Sequence, residues 1–325
     1  MIDPLQRWSE YGEKPDFAGL LTYGGQPYTE DPAELAGADV AIVGAPTDDL
    51  VSDRPGTRYG PRAIRAASCP PGPHLETGVD ALGALRVVDF GDAPVIPADA
   101  ARSHEAIEAT VRQVVEAGVL PVVLGGDHSI SEPDVKACAQ DGPVGLIHFD
   151  THTDTGTQVF GVEFSHGTPM FKLVEAGVVD PERYVQIGLR GYWPGREEFD
   201  WQRERGITSF FMHDVRDRGI KAVVADALAA VGAGPVFVTV DIDVLDPAYA
   251  PGTGTPEPGG MATVDLLWAC REAASQVELV GADVVEVIPT AVGSADITAL
   301  AGDRVVRELL TGLALARRNE SPTRS

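Results

Sequence analysis

The sequence predicts one α/β domain, a three-layer α/β/α sandwich around a mainly parallel sheet of about eight strands. Apolar, β-branched segments alternate with helical patterns along most of the chain, which is the order of a parallel sheet. The segments are nearly continuous in apolar residues, so we expect both faces of the sheet to be buried. The predicted strands are residues 39–46, 84–91, 120–126, 144–150, 184–190, 207–213, 235–241 and 279–287.

Helical patterns lie between these strands. The pattern at 101–117 ends before Gly118, a residue typical of helix C-termini. Two segments, 46–63 and 247–260, are rich in Pro, Gly or both, and we expect them to form irregular walls. The remaining predicted helices are 167–176, 218–231, 263–275 and 297–316.

The domain is expected to span residues 36–317. Residues 1–35 are rich in Pro, Gly and charge, and we interpret them as an irregular arm that packs on the body or on a neighbouring subunit. Residues 318–325 form a polar tail, which we expect to be frayed.

Composition excludes several classes of partner. The net charge is −24, which argues against a nucleic acid or an anionic membrane as partner, because both need clustered Lys and Arg. No segment has the uninterrupted apolar length of a membrane span, and the N-terminus has no leader pattern. Cys69, Cys138 and Cys270 show no paired spacing, which favours a reducing compartment. We therefore expect a cytoplasmic protein.

Acidic residues and histidines follow four of the predicted strands. Ligands of parallel α/β sheets bind outside the carboxyl ends of the strands, so these side chains should meet at one edge. After the 144–150 strand, Asp150, His152 and Asp154 alternate, which places them on one side of an extended chain. The ligand candidates at this edge are His128, Asp150, His152, Asp154, Asp241 and Asp243.

This set of two imidazoles and four carboxylates predicts a centre for two metal ions. It has more ligands than one ion needs, and the absence of thiolates favours hard divalent ions such as Mn²⁺. Two neighbouring ions can generate hydroxide from water at neutral pH. A single Asp after a strand is ordinarily a turn or a helix cap, but that explanation does not account for six residues at one edge.

Two further histidines lie near the predicted cluster. His148 shares the alternation of Asp150 but lies inside the predicted strand, so we expect a buried supporting residue rather than a ligand. His166 lies in a turn before a helix, where a histidine close to activated water is a candidate proton shuttle. A role in starting that helix is the alternative.

Together these motifs resemble the ureohydrolases, which include arginase, agmatinase and related hydrolases of guanidino compounds. The long Pro- and Gly-rich block after Asp243 is more similar to the agmatinase branch than to arginase itself. The resemblance implies an arginase-like fold. It rests on GGDHS at 125–129, DTHTD at 150–154, SHGTP at 165–169, DIDVLDPAYAPGTGTPEPGG at 241–260, RPGTRYGPRAIR at 54–65 and EVIP at 286–289.

The resemblance also implies roles for individual residues. Asp154 would orient the attacking hydroxide, His166 would shuttle protons, and Glu286 would grip the guanidinium, so that urea and an amine are released. Two Mn²⁺ ions are implied, with Ni²⁺ or Co²⁺ as alternatives, and a homo-oligomer, a trimer or hexamer. One ion would be held by His128 and Asp154 and the other by His152 and Asp243, with Asp150 and Asp241 bridging.

The sequence departs from the family pattern in two places. Thr151 stands where Ala is common, and residues 48–52 lack the usual glycine. Neither position is a ligand, so we expect altered pocket shape rather than lost chemistry. Agmatine is the nominal substrate. The alternatives are an ω-guanidino acid, such as 4-guanidinobutyrate or 3-guanidinopropionate, and guanidine itself. Arginine is disfavoured because 156–164 has no counterpart to the arginase loop that binds its amino-acid end.

The far end of the substrate would decide between these compounds. An ammonium group would need an acid such as Glu163 or Asp49, and a carboxylate would need a donor such as Arg190. Tyr192 and Trp193 either line the mouth of the pocket or only pack. Two other functional classes are possible for the protein as a whole. One is a single-zinc deacetylase-like amidohydrolase, which the ligand count disfavours, and the other is a non-catalytic scaffold.

Overall fold

The computed structural model describes residues 1–10, 12, 14–15, 18–68, 72–290 and 296–320. In this part of the chain, eight parallel strands form one sheet with helices on both faces. The predicted fold class is therefore confirmed. The strands are β1 (Val40–Gly44), β2 (Val87–Asp92), β3 (Leu120–Leu124), β4 (Val144–Phe149), β5 (Val179–Leu189), β6 (Thr208–Phe211), β7 (Pro235–Asp241) and β8 (Glu278–Val285).

The helices cover the sheet in two layers. They are α1 (Gly60–Ala67), α2 (Ala81–Ala84), α3 (Ala100–Glu116), α4 (Ser131–Cys138), α5 (Pro169–Glu175), α6 (Arg196–Glu204), α7 (Met212–Arg218), α8 (Ile220–Val231), α9 (Thr263–Gln276) and α10 (Ile297–Glu320).

The strand order places the chemistry-bearing strands together. The order is β2-β1-β3-β8-β7-β4-β5-β6, so β3, β8, β7 and β4 are consecutive neighbours at the centre of the sheet. Parallel pairing aligns their carboxyl ends along one edge. The four motifs predicted to converge thus start from four adjacent strands.

Each face of the sheet has its own apolar core. In β1, Val40 and Ile42 point to the face covered by α1 and α8–α10, whereas Ala41 and Val43 point to the face covered by α3–α5. All four side chains are fully buried. Burial on both faces explains why the strands appear in the sequence as continuous apolar segments.

Short helices account for most of the differences from the sequence prediction. α1 begins inside the segment 46–63 that we expected to be irregular, with Pro61 in its first turn. The strand predicted at 207–213 ends at Phe211, because α7 starts at Met212. α4 and α6 were also missed, since eight or nine residues give too short a pattern to recognise.

The N-terminal residues lie on the body of the domain. Ile2 pairs with Tyr28, and the backbone N–H of Tyr23 donates to Asp89 Oδ2 on β2 at 2.7 Å. At the other terminus α10 extends to Glu320, into the predicted tail, and 321–325 lie outside the described residues. Cys69 also lies outside them. None of the described helices combines the length and the apolar character that a membrane crossing requires.

Candidate metal centre and active site

The same local turn shapes three of the strand ends. In each, an Asp side chain accepts a hydrogen bond from the backbone N–H two residues later, which bends the chain and turns successive side chains toward one point. The contacts are Ser129 N–H to Asp127 Oδ1 at 3.1 Å, His152 N–H to Asp150 Oδ1 at 2.6 Å and Asp243 N–H to Asp241 Oδ1 at 2.8 Å.

One half of the cluster surrounds His128. Its Nδ1 atom lies 2.9 Å from Asp154 Oδ2, 3.1 Å from Asp150 Oδ2 and 3.3 Å from Asp241 Oδ2. This nitrogen is buried and has no hydrogen-bond partner of good geometry among the described residues. Three carboxylate oxygens and one nitrogen lone pair around a common point form a site suited to a cation.

The other half of the cluster surrounds His152. Its Nδ1 atom lies 3.2 Å from Asp243 Oδ2 and 3.5 Å from Asp150 Oδ1. Asp150 therefore uses one oxygen toward each half. Two adjacent groups of potential ligands that share a carboxylate fit two ions, as the sequence predicts.

The carboxylates repel one another in this buried space. Burial raises the pKa of Asp241 well above its ordinary value, and the charges of Asp243 and Asp150 raise it further. Burial also raises the pKa of Asp243. For Asp150, burial acts in the same direction, but the imidazoles around it outweigh burial and hold its pKa well below its ordinary value. Divalent cations would neutralise this excess of negative charge, so the residues present fit a metal centre.

A row of polar side chains supports the cluster from below. Asp283, Thr239, His148 and Gln186 are aligned in register across β8, β7, β4 and β5. His128 Nε2 lies 2.9 Å from Thr239 Oγ1. His148 Nε2 lies 2.7 Å from Asp150 Oδ2, and its Nδ1 lies 2.9 Å from the hydroxyl of Tyr184. These contacts orient two ligand candidates and favour a supporting role for His148.

One end of this row carries a pair of buried acids that sequence reasoning missed. The Ser131 hydroxyl donates to Asp283 Oδ2 at 2.6 Å. Neither carboxylate oxygen of Asp134 has a partner among the described residues, and the side chain is fully buried. Burial raises the pKa of Asp134 well above its ordinary value, and Asp283 raises it further. Asp134 belongs to α4, the helix that the sequence did not reveal.

His166 and Glu286 lie beside the cluster as a pair. His166 Nδ1 is 2.9 Å from Glu286 Oε1, and the backbone N–H of His128 donates to the same oxygen at 2.9 Å. Burial acts to lower the pKa of His166, but Glu286 outweighs it and raises the pKa to about 9. Glu286 and Asp154 have positive φ angles, 63° and 50°, in the region that non-glycine residues rarely adopt. Such strain is concentrated at functional sites.

A cavity of about 370 Å³ opens above the cluster. His152, Asp154 and His166 form part of its floor, and Trp193 lies at its mouth. Sequence reasoning did not identify the wall formed by Gln158, Val159 and Phe160. This wall is a short loop closed by paired hydrogen bonds between Val159 and Val162. These three residues carry no charge and show no helical or strand periodicity, so their place in the cavity wall can be recognised only in the structure.

The predicted substrate-binding residues have different locations. Trp193 lines the cavity, whereas Glu163 and Tyr192 are exposed and are not part of its lining. The Arg190 guanidinium donates to the backbone carbonyls of Glu257, Asp243 and Val244 at 2.9, 2.8 and 3.1 Å. Arg190 therefore fastens the Pro- and Gly-rich loop to the end of β7, and this geometry favours a structural role. Glu198, which we did not single out, has its pKa raised to about 7 by burial and by Asp154.

Comparison with known proteins agrees with this geometry. Residues 38–312 match the model of the arginase family.

The chain belongs to the arginase family.

It is 43% identical over 305 residues to guanidinopropionase of Pseudomonas aeruginosa, covering 93% of this chain and 94% of that protein. It is 39% identical over 278 residues to the mitochondrial agmatinase of Gallus gallus, covering 84% of this chain and 81% of that protein. The structure of proclavaminate amidinohydrolase from Streptomyces clavuligerus superimposes with a TM-score of 0.86 at 33% identity, over 93% of this chain and all of that one.

Membership in the arginase family confirms the resemblance to ureohydrolases of the agmatinase-like branch. It also confirms the prediction of a hydrolase that acts on C–N bonds. The buried His and Asp cluster fits the binuclear metal centre that the family resemblance implies.

Proposed function

We propose that the protein is a binuclear-metal amidinohydrolase that cleaves a small linear guanidino compound to urea and an amine. One observation carries the proposal. Two groups of potential ligands, all buried except the partly exposed His152, share Asp150 beneath a cavity to which His166 also contributes. Family membership supports the same reaction.

In this proposal each ion has its own histidine. His128 and Asp154 would hold one ion and His152 and Asp243 the other, and Asp150 and Asp241 would contribute carboxylates to both. Asp150 already directs one oxygen to each histidine, which supports its bridging role. We propose Mn²⁺ as the native ion, because the oxygen-rich set favours hard cations, with Ni²⁺ or Co²⁺ as alternatives.

The protein groups around the cluster have distinct tasks. Two divalent ions, when bound, lower the pKa of water and so supply a hydroxide nucleophile at neutral pH. Asp154 orients this nucleophile. Glu286 Oε1 already accepts a hydrogen bond from the backbone of His128, whereas Oε2 is buried without a partner among the described residues. In the proposal, Oε2 is the oxygen left to accept a hydrogen bond from the substrate guanidinium.

His166 completes the reaction by moving a proton. A guanidinium is resonance-stabilised, and the departing nitrogen leaves readily only as a protonated amine. The His166 ring is 8% exposed and lines the cavity, so it can exchange protons with groups bound there. General acid–base catalysis by such a histidine contributes roughly 10²- to 10⁴-fold to the rate.

The cavity favours a short substrate whose end remote from the guanidinium carries one polar group. Among its described lining residues, the acids are the cluster residues Asp154 and Asp241, and none is Lys or Arg. Gln158 offers a neutral amide that can bind an ammonium through its oxygen or a carboxylate through its nitrogen. Agmatine remains the nominal substrate. The second candidate is an ω-guanidino acid, which the 43% identity to guanidinopropionase favours.

Urea release tests this proposal. Purified protein is assayed with agmatine, 3-guanidinopropionate, 4-guanidinobutyrate, arginine and guanidine, each with Mn²⁺ and with Ni²⁺. We expect urea from agmatine or from one of the two guanidino acids. Activity on none of the five compounds, in protein with full metal occupancy, would refute the proposed function.

Assembly and location are further parts of the proposal. Cys138 and Cys270 are free and buried, which fits the reducing cytoplasm that we expect. A trimer or hexamer is also proposed from the family resemblance. Light scattering of the purified protein measures its mass directly, and a monomer at working concentration would contradict this part.

A further inference from the structure

Ser52 makes direct contact with the proposed proton shuttle. It lines the cavity, and its hydroxyl oxygen lies 2.7 Å from His166 Nε2. Its backbone N–H donates to the same nitrogen at 3.0 Å. The two residues are 114 positions apart in the sequence.

These contacts specify one form of the imidazole. A backbone N–H can only donate, so Nε2 must act as an acceptor and carry no proton. The ring proton is then on Nδ1, where it donates to Glu286 Oε1 at 2.9 Å. Ser52 and Glu286 together select the neutral tautomer with its proton on Nδ1.

The two partners of His166 act in opposite directions on its charge. Glu286 raises the pKa of His166 to about 9, which favours the imidazolium. The amide of Ser52 favours the neutral ring, because an N–H at Nε2 would face the N–H of the amide. The amide contact therefore offsets part of the effect that Glu286 has on the charge of the ring.

We propose that Ser52 is a positioning residue for the hydrolysis, holding His166 as a neutral acceptor at Nε2. This inference rests on the proposed function. Nε2 has one lone pair, so the Ser52 hydroxyl rotates its O–H away when the reacting water gives a proton to Nε2. The hydroxyl oxygen then accepts from the new Nε2–H, which a hydroxyl can do and an amide cannot. The unfavourable contact between the Nε2–H and the amide N–H then promotes transfer of the proton to the departing amine. The Nε2–H bond breaks as the N–H bond of the departing amine forms, and the neutral ring is restored.

The loop that carries Ser52 is fastened on both sides. The backbone N–H of His166 donates to Leu50 O at 3.2 Å. Beyond Ser52, the N–H of Gly56 donates to Asp48 Oδ2 at 2.8 Å, and Arg58 pairs with both Asp48 and Asp49. A loop held in this way keeps a positioning group within the narrow tolerance that catalysis requires.

Removing the hydroxyl tests the proposal kinetically. Ser52→Ala keeps the amide contact and loses one hydrogen bond, so kcat should fall about 3- to 10-fold. We expect KM within about twofold of the starting value, unchanged metal content and recovery of most of the loss in Ser52→Thr. Ser275→Ala, which removes a comparable hydroxyl contact in α9, is the matched control. An unchanged kcat in Ser52→Ala would overturn the proposal.

The tautomer can be observed without turnover. The full chain is labelled with ¹⁵N-histidine and studied metal-free and loaded with diamagnetic Zn²⁺, with His166 assigned by comparison with His166→Asn. We expect a protonated Nδ1 and an unprotonated Nε2, with the distinction weakened in Ser52→Ala. A proton on Nε2 in the unaltered protein would overturn the role of Ser52. Failure of urea release with this tautomer present would instead overturn the proposed function.

Discussion

The floor and the mouth of the cavity are built in different ways. On the floor, His128, Asp150 and Asp241 are at most 2% exposed, and each lies at or just beyond the end of a central strand. At the mouth, Phe160 is 86% and Trp193 is 42% exposed, and both lie in loops. The floor is fixed by strand register and local turns, whereas the mouth depends on the loops. We therefore expect the sheet to determine the reaction and the loops to determine the choice of substrate.

Loss of a floor carboxylate should have the largest effect. Asp243→Asn replaces a charged ligand candidate with a neutral one and should lower both metal occupancy and urea release. We expect at least a 100-fold loss of activity, roughly the upper range seen when only a supporting residue is lost. Asp217→Asn, at an exposed ion pair with Arg216, is the control. Two-metal occupancy retained in Asp243→Asn would contradict the ligand assignment.

Loss of the shuttle should impair catalysis and leave the metals in place. His166→Asn should lower kcat by roughly 10²- to 10⁴-fold, because it removes the proposed acid–base group. Metal content should match that of the parent protein. His213→Asn, at an exposed histidine, is the control. A loss of bound metal equal to that in Asp243→Asn would mean that His166 also helps to hold the metals.

Changes at the mouth should alter selectivity more than rate. Phe160→Ala removes an exposed apolar contact, so we expect the ratio of kcat/KM between agmatine and 3-guanidinopropionate to change by up to about 10-fold. Metal content should not change. Leu75→Ala, at a residue that is 97% exposed elsewhere, is the control. If Phe160→Ala lowered kcat as much as His166→Asn does, the proposed separation of catalysis at the floor from selectivity at the mouth would be wrong.

Beneath the floor, Asp134 should affect stability rather than turnover. Its folded-state pKa is raised by burial and by Asp283, so the folded protein binds more protons than the unfolded chain above about pH 4. Stability therefore falls as pH rises toward the folded pKa, by about 1.4 kcal/mol per pH unit while the difference lasts. Asp134→Asn should flatten this dependence in denaturant titrations at several pH values. An identical pH dependence of stability in the parent protein and in Asp134→Asn would contradict the raised pKa of Asp134.

Parts of the molecule that follow local rules were predictable from the sequence. β3, β4 and β7 are marked by apolar segments, and the acids after them are placed by parallel pairing at one edge. The contacts that the sequence did not reveal join distant residues. Ser52 reaches His166 across 114 positions, and Glu286 reaches the backbone of His128 across 158. Helix α4, which carries Asp134, is too short to leave a periodic signal.

Anomalous diffraction from Mn²⁺-loaded crystals tests the central claim most directly. We predict two peaks per chain, about 4 Å apart or less, one beside His128 and Asp154 and the other beside His152 and Asp243. Asp150 should lie between them. A single peak in fully loaded crystals, or one zinc per chain as in a deacetylase-like enzyme, would contradict a binuclear floor.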